Sequence, residues 1–401
     1  MKRISKISVL MLATFALMYT TSCSKDDEPT PSPLNNENPI ENQDNKDSGN
    51  SNQPPTANAQ KFEVAEDAVA GDVIGVVEAE DLEGNPLTYT LVADDSELFQ
   101  VAENGEITLA EGKNLDFETT IGYSLTLNVS DGINEPVEFT VNIKVVNVIE
   151  TLFEDPESFI LKFDVAEGQQ LTIGTNENYE YDYIIDWGDG TDEEELTVHY
   201  PTHQYGTGGI HFVAIKGVFP ALRMGGALVI ESRQALLDVV QWGTIEWKSF
   251  ESAFFGCTNL EGFSATTTPN LSEVKDFHNM FFNATKFNSD ISDWDTSYIT
   301  SMTSMLNGAT AFNQSLAGWN IGSVVVMSNM LNNSGMSAEN LNATLIGWNN
   351  FVETNDAPKN IKLGVDNLTV CGEEVITAIQ NLEANHEWTF DGNLSIEANC
   401  Q

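Results

Sequence analysis

The sequence predicts a mainly β, multidomain protein: two β-sandwiches followed by a short α/β solenoid. Three observations carry that expectation. Between residues 56 and 230, apolar and polar residues alternate in short runs separated by turn signals, the period of half-buried strands. From residue 253 a segment recurs: AFFGCTNL (253–260), MFFNATKF (280–287) and MLNGATAF (305–312), at intervals of 27 and then 25 residues. Glycine and asparagine are frequent and lysine is scarce, which suits loop-rich extracellular β modules better than a helical enzyme.

Charge narrows the partners. The 401 residues carry 61 acidic and 17 basic side chains, a formal net charge of −44. Phosphate backbones would be repelled, so nucleic acid is excluded as a natural partner. The acids serve either solubility or the binding of divalent cations.

The N-terminus reads as an export signal. Lys2, Arg3 and Lys6 precede an apolar run from about Val9 to Tyr19, too short to span a membrane. Ser22-Cys23 follows, then the acidic cluster of Ser24-Lys25-Asp26-Asp27-Glu28. This resembles a lipoprotein signal peptide (1–22) cleaved before a lipidated Cys23. The acidic cluster resembles the surface-export signal of Bacteroidota lipoproteins, and implies an outer-membrane, cell-surface location. The alternative is an ordinary secreted protein with a stray cysteine. Residues 23–55 are rich in Pro, Asn, Asp and Ser with almost no apolar content, and are expected to be a disordered tether. In an oxidising compartment, with Cys23 lipidated, one disulfide is expected among Cys257, Cys371 and Cys400. Cys371 and Cys400 bracket the final segment and are paired in this reading; Cys257 is read as a small buried apolar residue.

The first folded unit spans 56–148. Stretches such as LTYTLV, YSLTLNVSD and FTVNIKVVNV alternate, and Glu83-Gly84-Asn85-Pro86 and Asn104-Gly105 mark turns. About seven strands make a β-sandwich. AEDAVAGDVIGVVEAEDLEGNPLTYTL followed by ELFQVAENGEITLAEGKNLDFETTIGYSLTLNVSDG resembles a cadherin repeat over its whole length. The resemblance implies calcium, which takes six to eight oxygen ligands. It places Glu66, Asp116 and Glu118 at the pole facing the next domain, and Asp81, Glu83 and Asp131, with Asn85, at the opposite pole. Two features depart from the family. The linker here is Val146-Asn147-Val148-Ile149-Glu150, in which Asn147 is the natural ligand and Glu150, Glu154 and Asp155 are substitutes. No second such repeat follows.

The second unit spans 151–230. Asp186-Trp187-Gly188-Asp189-Gly190-Thr191, then His203-x-Tyr205 and Gly209-x-His211-x-Val213, resembles a PKD-like immunoglobulin-type sandwich. Trp187 is expected in its core and Gly-Asp-Gly in a tight turn beyond it. A metal site at Asp186, Asp189, His203 and His211 is the less favoured reading.

The solenoid is expected over 231–350, opened by the helical-looking SRQALLDVVQWG and closed by a C-terminal region, 351–401. Trp294 is answered by Trp319, Met302 by Met327 and Met305 by Met330. About four copies are visible, each too small to bury its apolar side alone. The repeat resembles the BspA-type leucine-rich-repeat surface proteins of Bacteroidota and mycoplasmas. Trp294, Met302, Met305 and Phe312 are expected as core layers, with Asn288 and Asn313 as an inward ladder. Four coils make a stack about 15–20 Å tall. Tyr298, Ser301 and Ser304, which become Ser323, Val326 and Asn329 one coil on, are expected to face solvent.

No H-E-x-x-H, G-x-S-x-G or phosphate loop is present in the sequence, and no enzymatic activity is expected. The parts describe a surface display: a lipid anchor in the membrane, a tether, spacer sandwiches and a terminal solenoid that binds a protein or glycan on another cell or surface. A structural component of an outer-membrane lipoprotein complex is the alternative.

Overall fold

The computed structural model describes residues 52–400. The signal peptide, Cys23 and most of the tether lie outside the described residues. Among those described, no helix is long and apolar enough to cross a membrane.

Seven strands form the first sandwich: β1 (Gln60–Ala65), β2 (Val73–Val76), β3 (Thr88–Ala93), β4 (Phe99–Val101), β5 (Glu106–Leu109), β6 (Gly122–Ser130) and β7 (Val137–Val146). One sheet runs β1-β7-β6-β3 and the other β2-β5-β4. Strict alternation makes this geometry. Along β7 every second residue from Phe139 to Val145 is buried, and β6 buries Leu125, Leu127 and Val129 against Ile107 and Leu109 of the facing sheet. Each such side chain contributes about 1.5–3 kcal/mol by leaving water. First and last strands run parallel, from Gln60 opposite Val141 to Ala65 opposite Val146. They deliver Glu66 and Asn147 to the same end of the sandwich.

The second unit contains β8 (Phe159–Val165), β9 (Gln170–Thr172), β10 (Asp182–Asp186), β11 (Glu194–Leu196), β12 (Thr202–Gln204) and β13 (Gly209–Val218). Trp187 is fully buried, and its carbonyl accepts the Tyr205 hydroxyl at 2.7 Å. The stretch expected to be a helix is half helix and half strand. α1 (Ile230–Ala235) ends where Leu236-Leu237-Asp238-Val239-Val240-Gln241 becomes β14, followed by the short β15 (Gly262–Phe263). Leu236 and Val239 point into the core while Asp238 stands on the outer side: register shifts between Leu236 and Asp238 and between Val239 and Gln241 break the period-2 alternation, so the buried residues fall three apart, a helix-like spacing. The large sheet therefore runs β11-β10-β13-β8-β14-β15. One continuous core extends from Phe159 to Trp388. The expected boundary at 230/231 falls inside it, because β14 belongs at once to the sandwich sheet and to the first coil.

The coils between residues 245 and 335 are built from turns. In the second visible copy, the amides of Phe277, Asn279, Phe281 and Asn283 donate to the carbonyls of Ser301, Thr303, Met305 and Asn307 one coil on, at 2.8–2.9 Å. The intervening amides of Met280, Phe282 and Ala284 close turns within the coil. The same pattern joins Met302, Ser304, Leu306 and Gly308 to Val326, Ser328, Met330 and Asn332. Such a path needs two left-handed residues per coil. They fall in two columns: Ser252, Asn279, Ser304 and Asn329, then Gly256, Asn283, Gly308 and Asn333. Trp294, Met302, Met305 and Phe312 are all buried.

Strand-and-helix coils occur at the C-terminal end. They comprise α2 (Ala338–Asn355), β16 (Lys362–Gly364), β17 (Thr369–Cys371), α3 (Glu373–His386), β18 (Thr389–Asp391) and β19 (Ser395–Glu397). Parallel links connect Ala221, Ser249, Asp276, Ser301, Val326, Leu363 and Phe390 into seven rungs. The stack is roughly 29 Å tall at about 4.8 Å per step, taller than the visible copies predict. Two details differ from expectation. Ser304 is buried, because it sits at a left-handed corner with its amide spent on the next coil. Asn288 and Asn313 do form a ladder, Asn288 Oδ1 accepting the Asn313 amide and Asn313 Oδ1 the Ser337 amide, each at 2.7 Å. They stand on the rim rather than inside, Asn288 exposed and Asn313 half-buried.

Candidate metal centre

The parallel β1–β7 pair ends at the pole where the chain leaves for the second unit. Glu66 follows β1 and is almost fully buried. Its Oε1 accepts the amide of Val148 and its Oε2 that of Phe117, both at 2.7 Å. The carboxylate thus ties the outgoing linker to the loop that carries Asp116 and Glu118. Asp116 is locked by Thr119, whose amide and hydroxyl donate to its two oxygens at 2.9 and 2.8 Å. Glu118 accepts from Asn147 at 3.1 Å. Glu66, Asp116 and Glu118 each bring one carboxylate oxygen within 4.8 Å of the others.

The electrostatics follow from that convergence. Hydrogen bonds from the Thr119 hydroxyl and amide hold the Asp116 carboxyl below its ordinary value. For Glu118, a backbone hydrogen bond pulls downward. Partial desolvation and the charges of Glu66, Glu154 and Asp116 outweigh it, and its pKa stands above the ordinary value. Among the described residues, no cationic side chain pairs with the negative charge gathered here. Three carboxylates and the Asn147 amide oxygen are the hard donors that calcium takes, with water completing the shell. Of the linker acids, Glu154 adds its charge to this pole. Asp155 turns away to Lys216, at 2.6 Å.

The other three acids stand at the opposite pole in a hydrogen-bonded knot rather than as gathered carboxylates. Asp81 Oδ1 accepts the amides of Glu83 and Asn85, and Glu83 accepts the Gln53 amide. Asp131 accepts the amides of Ile133 and Asn134 and the side chains of Asn52 and Asn134. Those donors, the Asn134 and Ile133 amides first, hold its pKa down at about 2. Asparagine amide groups occupy the space between the carboxylates, so the expected second ligand set is not assembled. The Asp81 Oδ2 atom is left buried without a partner.

The less favoured site on the second unit is also not assembled. Asp189 pairs with His203 at 2.7 Å, Asp186 accepts the Gly188 amide, and His211 faces the Thr207 carbonyl. Cys371 and Cys400 form a disulfide. Cys257 is free and buried, and burial pushes its thiol pKa far up.

Two families match parts of the chain. Residues 52–144 match the bacterial Ig domain, and residues 238–360 match the family described as Mycoplasma protein of unknown function, DUF285. No curated protein matches. Among solved structures, similarity extends to the first two extracellular domains of human protocadherin-24, with 24% identity over 31% of this chain and 58% of that one, TM-score 0.23. The third cadherin domain of human protocadherin 7 has 21% identity over 26% of this chain and 94% of that one, TM-score 0.23. Domains one to three of Drosophila N-cadherin give 22%, 24%, 35% and 0.22 respectively. The chain thus spans less than two thirds of the two multidomain cadherin chains just described.

Proposed function

We propose that this chain is a surface-displayed binding protein, held to the outer membrane by lipid on Cys23, without enzymatic activity. The first sandwich is a cadherin-like spacer that takes one calcium ion at Glu66, Asp116 and Glu118. The body formed by the second sandwich and the BspA-like coils meets the ligand. The observation that carries the calcium part is the convergence of three carboxylates, without an ion-pair partner among the described residues, at the pole where the linker departs. The continuous packing of the second sandwich and the coils into one core after the linker supports the binding part.

The test is thermal unfolding of the full chain in EDTA, in millimolar Ca²⁺ and in Mg²⁺. A ligand that binds only the native state raises apparent stability by mass action. A Ca²⁺-specific rise of several degrees is expected, absent in Asp116→Asn with Glu118→Gln. An equal response in parent and variant would remove calcium from this site. Protease treatment of intact cells addresses display: cleavage supports the surface location, and survival of the full-length chain contradicts it.

A further inference from the structure

The outer side of the large sheet carries a row of residues that no element covers. In register across four neighbouring strands stand Phe212 on β13, Lys162 on β8, Asp238 on β14 and Gly262 on β15. The inner side of the same strands is apolar and sealed by Leu161, Phe163, Leu236 and Val239. On the outer side Phe212 is 41% exposed, a high value for a phenyl ring on a central strand. Lys162 makes no ion pair among the described residues, although the chain is strongly acidic. It lines a cleft of about 450 Å³ together with Asp238, Glu261 and Ser289. A second cleft of about 600 Å³ lies further along β8, where Asp164, Glu167, Gln169, Glu231 and Gln234 supply the polar lining.

The chemistry of this lining is selective. Asp238 spends Oδ1 on the Ser264 amide at 2.8 Å and keeps Oδ2 available. Ser289 Oγ accepts the Phe263 amide and keeps its hydroxyl hydrogen. Between them the two clefts offer carboxylate acceptors, an ammonium donor, a hydroxyl donor and side-chain amides, and Phe212, outside both linings, stands one strand over from Lys162. Hydroxyl groups both donate and accept, and the C–H face of a sugar ring packs on an aromatic ring. An anionic ligand would meet Asp238, Glu261 and Asp164. A basic peptide would meet Lys162 in the middle of the row. The acids do not converge as a metal site. Two clefts lined by successive outward residues of one strand, Lys162 and Asp164, suit a chain of residues rather than a single small molecule.

We propose that this face binds a neutral, hydroxyl-rich oligosaccharide, with Phe212 as the stacking platform and Glu261, Asp238 and Lys162 as hydroxyl partners. The assignment rests on the reading of the chain as a surface binding protein and names its ligand class. It puts the contact at the seam between sandwich and coils, not on the face of the repeats.

The experiment is titration of the full chain with neutral gluco-, manno- and galacto-oligosaccharides, with oligogalacturonate and a basic peptide as the other arms. Binding is followed by calorimetry and by saturation transfer. A neutral oligosaccharide is expected to bind, at least tenfold more weakly to Phe212→Ala and to Glu261→Gln, with the thermal midpoint of Glu261→Gln unchanged. Binding of only the uronate or only the peptide would overturn the assignment. So would unaltered affinity in both variants, or no saccharide binding at all. If the chain binds no saccharide yet still attaches to intact cells, the ligand class falls and the binding role stands. Loss of cell attachment in the parent would remove the binding role itself.

Discussion

The indole N–H of Trp319 donates to the backbone carbonyl of Ile291 at 2.9 Å, and the next tryptophan, Trp348, repeats the bond to Leu316 at the same distance. Each coil is thereby pinned to the one before it from inside the core. Trp319→Phe loses the indole donor and part of the ring, and leaves the Ile291 carbonyl with only the longer bond from the Trp294 amide, at 3.3 Å. A loss of about 2–3 kcal/mol is expected, measured by chemical denaturation. A cost under about 0.5 kcal/mol would mean the hydrogen bond is immaterial.

The left-handed column of the coils gives a second expectation. Gly308 has φ +76°, a conformation strained for any residue with a Cβ, and an added side chain would also displace the Asn283 amide. Gly308→Val should destabilise by about 2 kcal/mol or more. Asn333→Gly, at the equivalent corner with φ +55°, should change stability by less than about 1 kcal/mol. Comparable losses in both would show that the backbone there is not constrained as described.

Two acids on either side of the joint should respond to pH with opposite sign. Burial pushes Asp155 up, but Lys216 and the Glu157 amide more than offset it, and its folded pKa lies below the ordinary value. Its contribution is present above the ordinary aspartate range and is lost as pH falls through the lowered value. Glu118 is raised, so its contribution is present at acid pH and is lost as pH rises through that raised value. In EDTA, Glu118→Gln should therefore be more stable than the parent at pH 7 and equal to it below about pH 4. Lys216→Met should be less stable at pH 7, by a margin that shrinks on acidification. Thermal melts from pH 3 to 8 check both.

The disulfide holds only the end of the stack. Cys371 and Cys400 are 29 residues apart, and the last rung around Ser395–Glu397 is exposed. Cys400→Ser should cost about 3–4 kcal/mol by the loop-closure model. Hydrogen exchange should rise in 389–400 and stay unchanged around Met305. Loss of protection throughout the coils would mean the bridge supports the whole solenoid.

The sandwiches and the repeats were legible because their signals are periodic. Alternation in β6 and β7 and the spacing of Trp294, Met305 and Phe312 each report a buried face directly. Rungs at Ala221, Leu363 and Phe390 were not legible. Their coils pack against the sheet at one end and two helices at the other, so the repeated side chains are replaced there. The strand at Leu236 was hidden because it follows a helical turn without a break. At the candidate metal centre, Glu66, Asp116 and Glu118 came from ordered motifs. The opposite pole misled because Asn52 and Asn134, distant in sequence from Asp81, fill the space between the acids. Phe212 and Lys162 carry no local signal, since only the pairing of β13 with β8 sets them side by side.

The parallel pairing of β1 with β7 has a mechanical consequence. A pull applied between the residue-52 end and the body beyond Val148 draws the two strands past each other along their length. Every bond of the ladder from Gln60–Val141 to Ala65–Val146 then carries load at the same moment, instead of opening one after another from an end. Glu66 adds its two amide contacts at the point where the force enters the linker. The first sandwich is arranged to resist shear, which is the load on a link between an anchor and an attached object in flow.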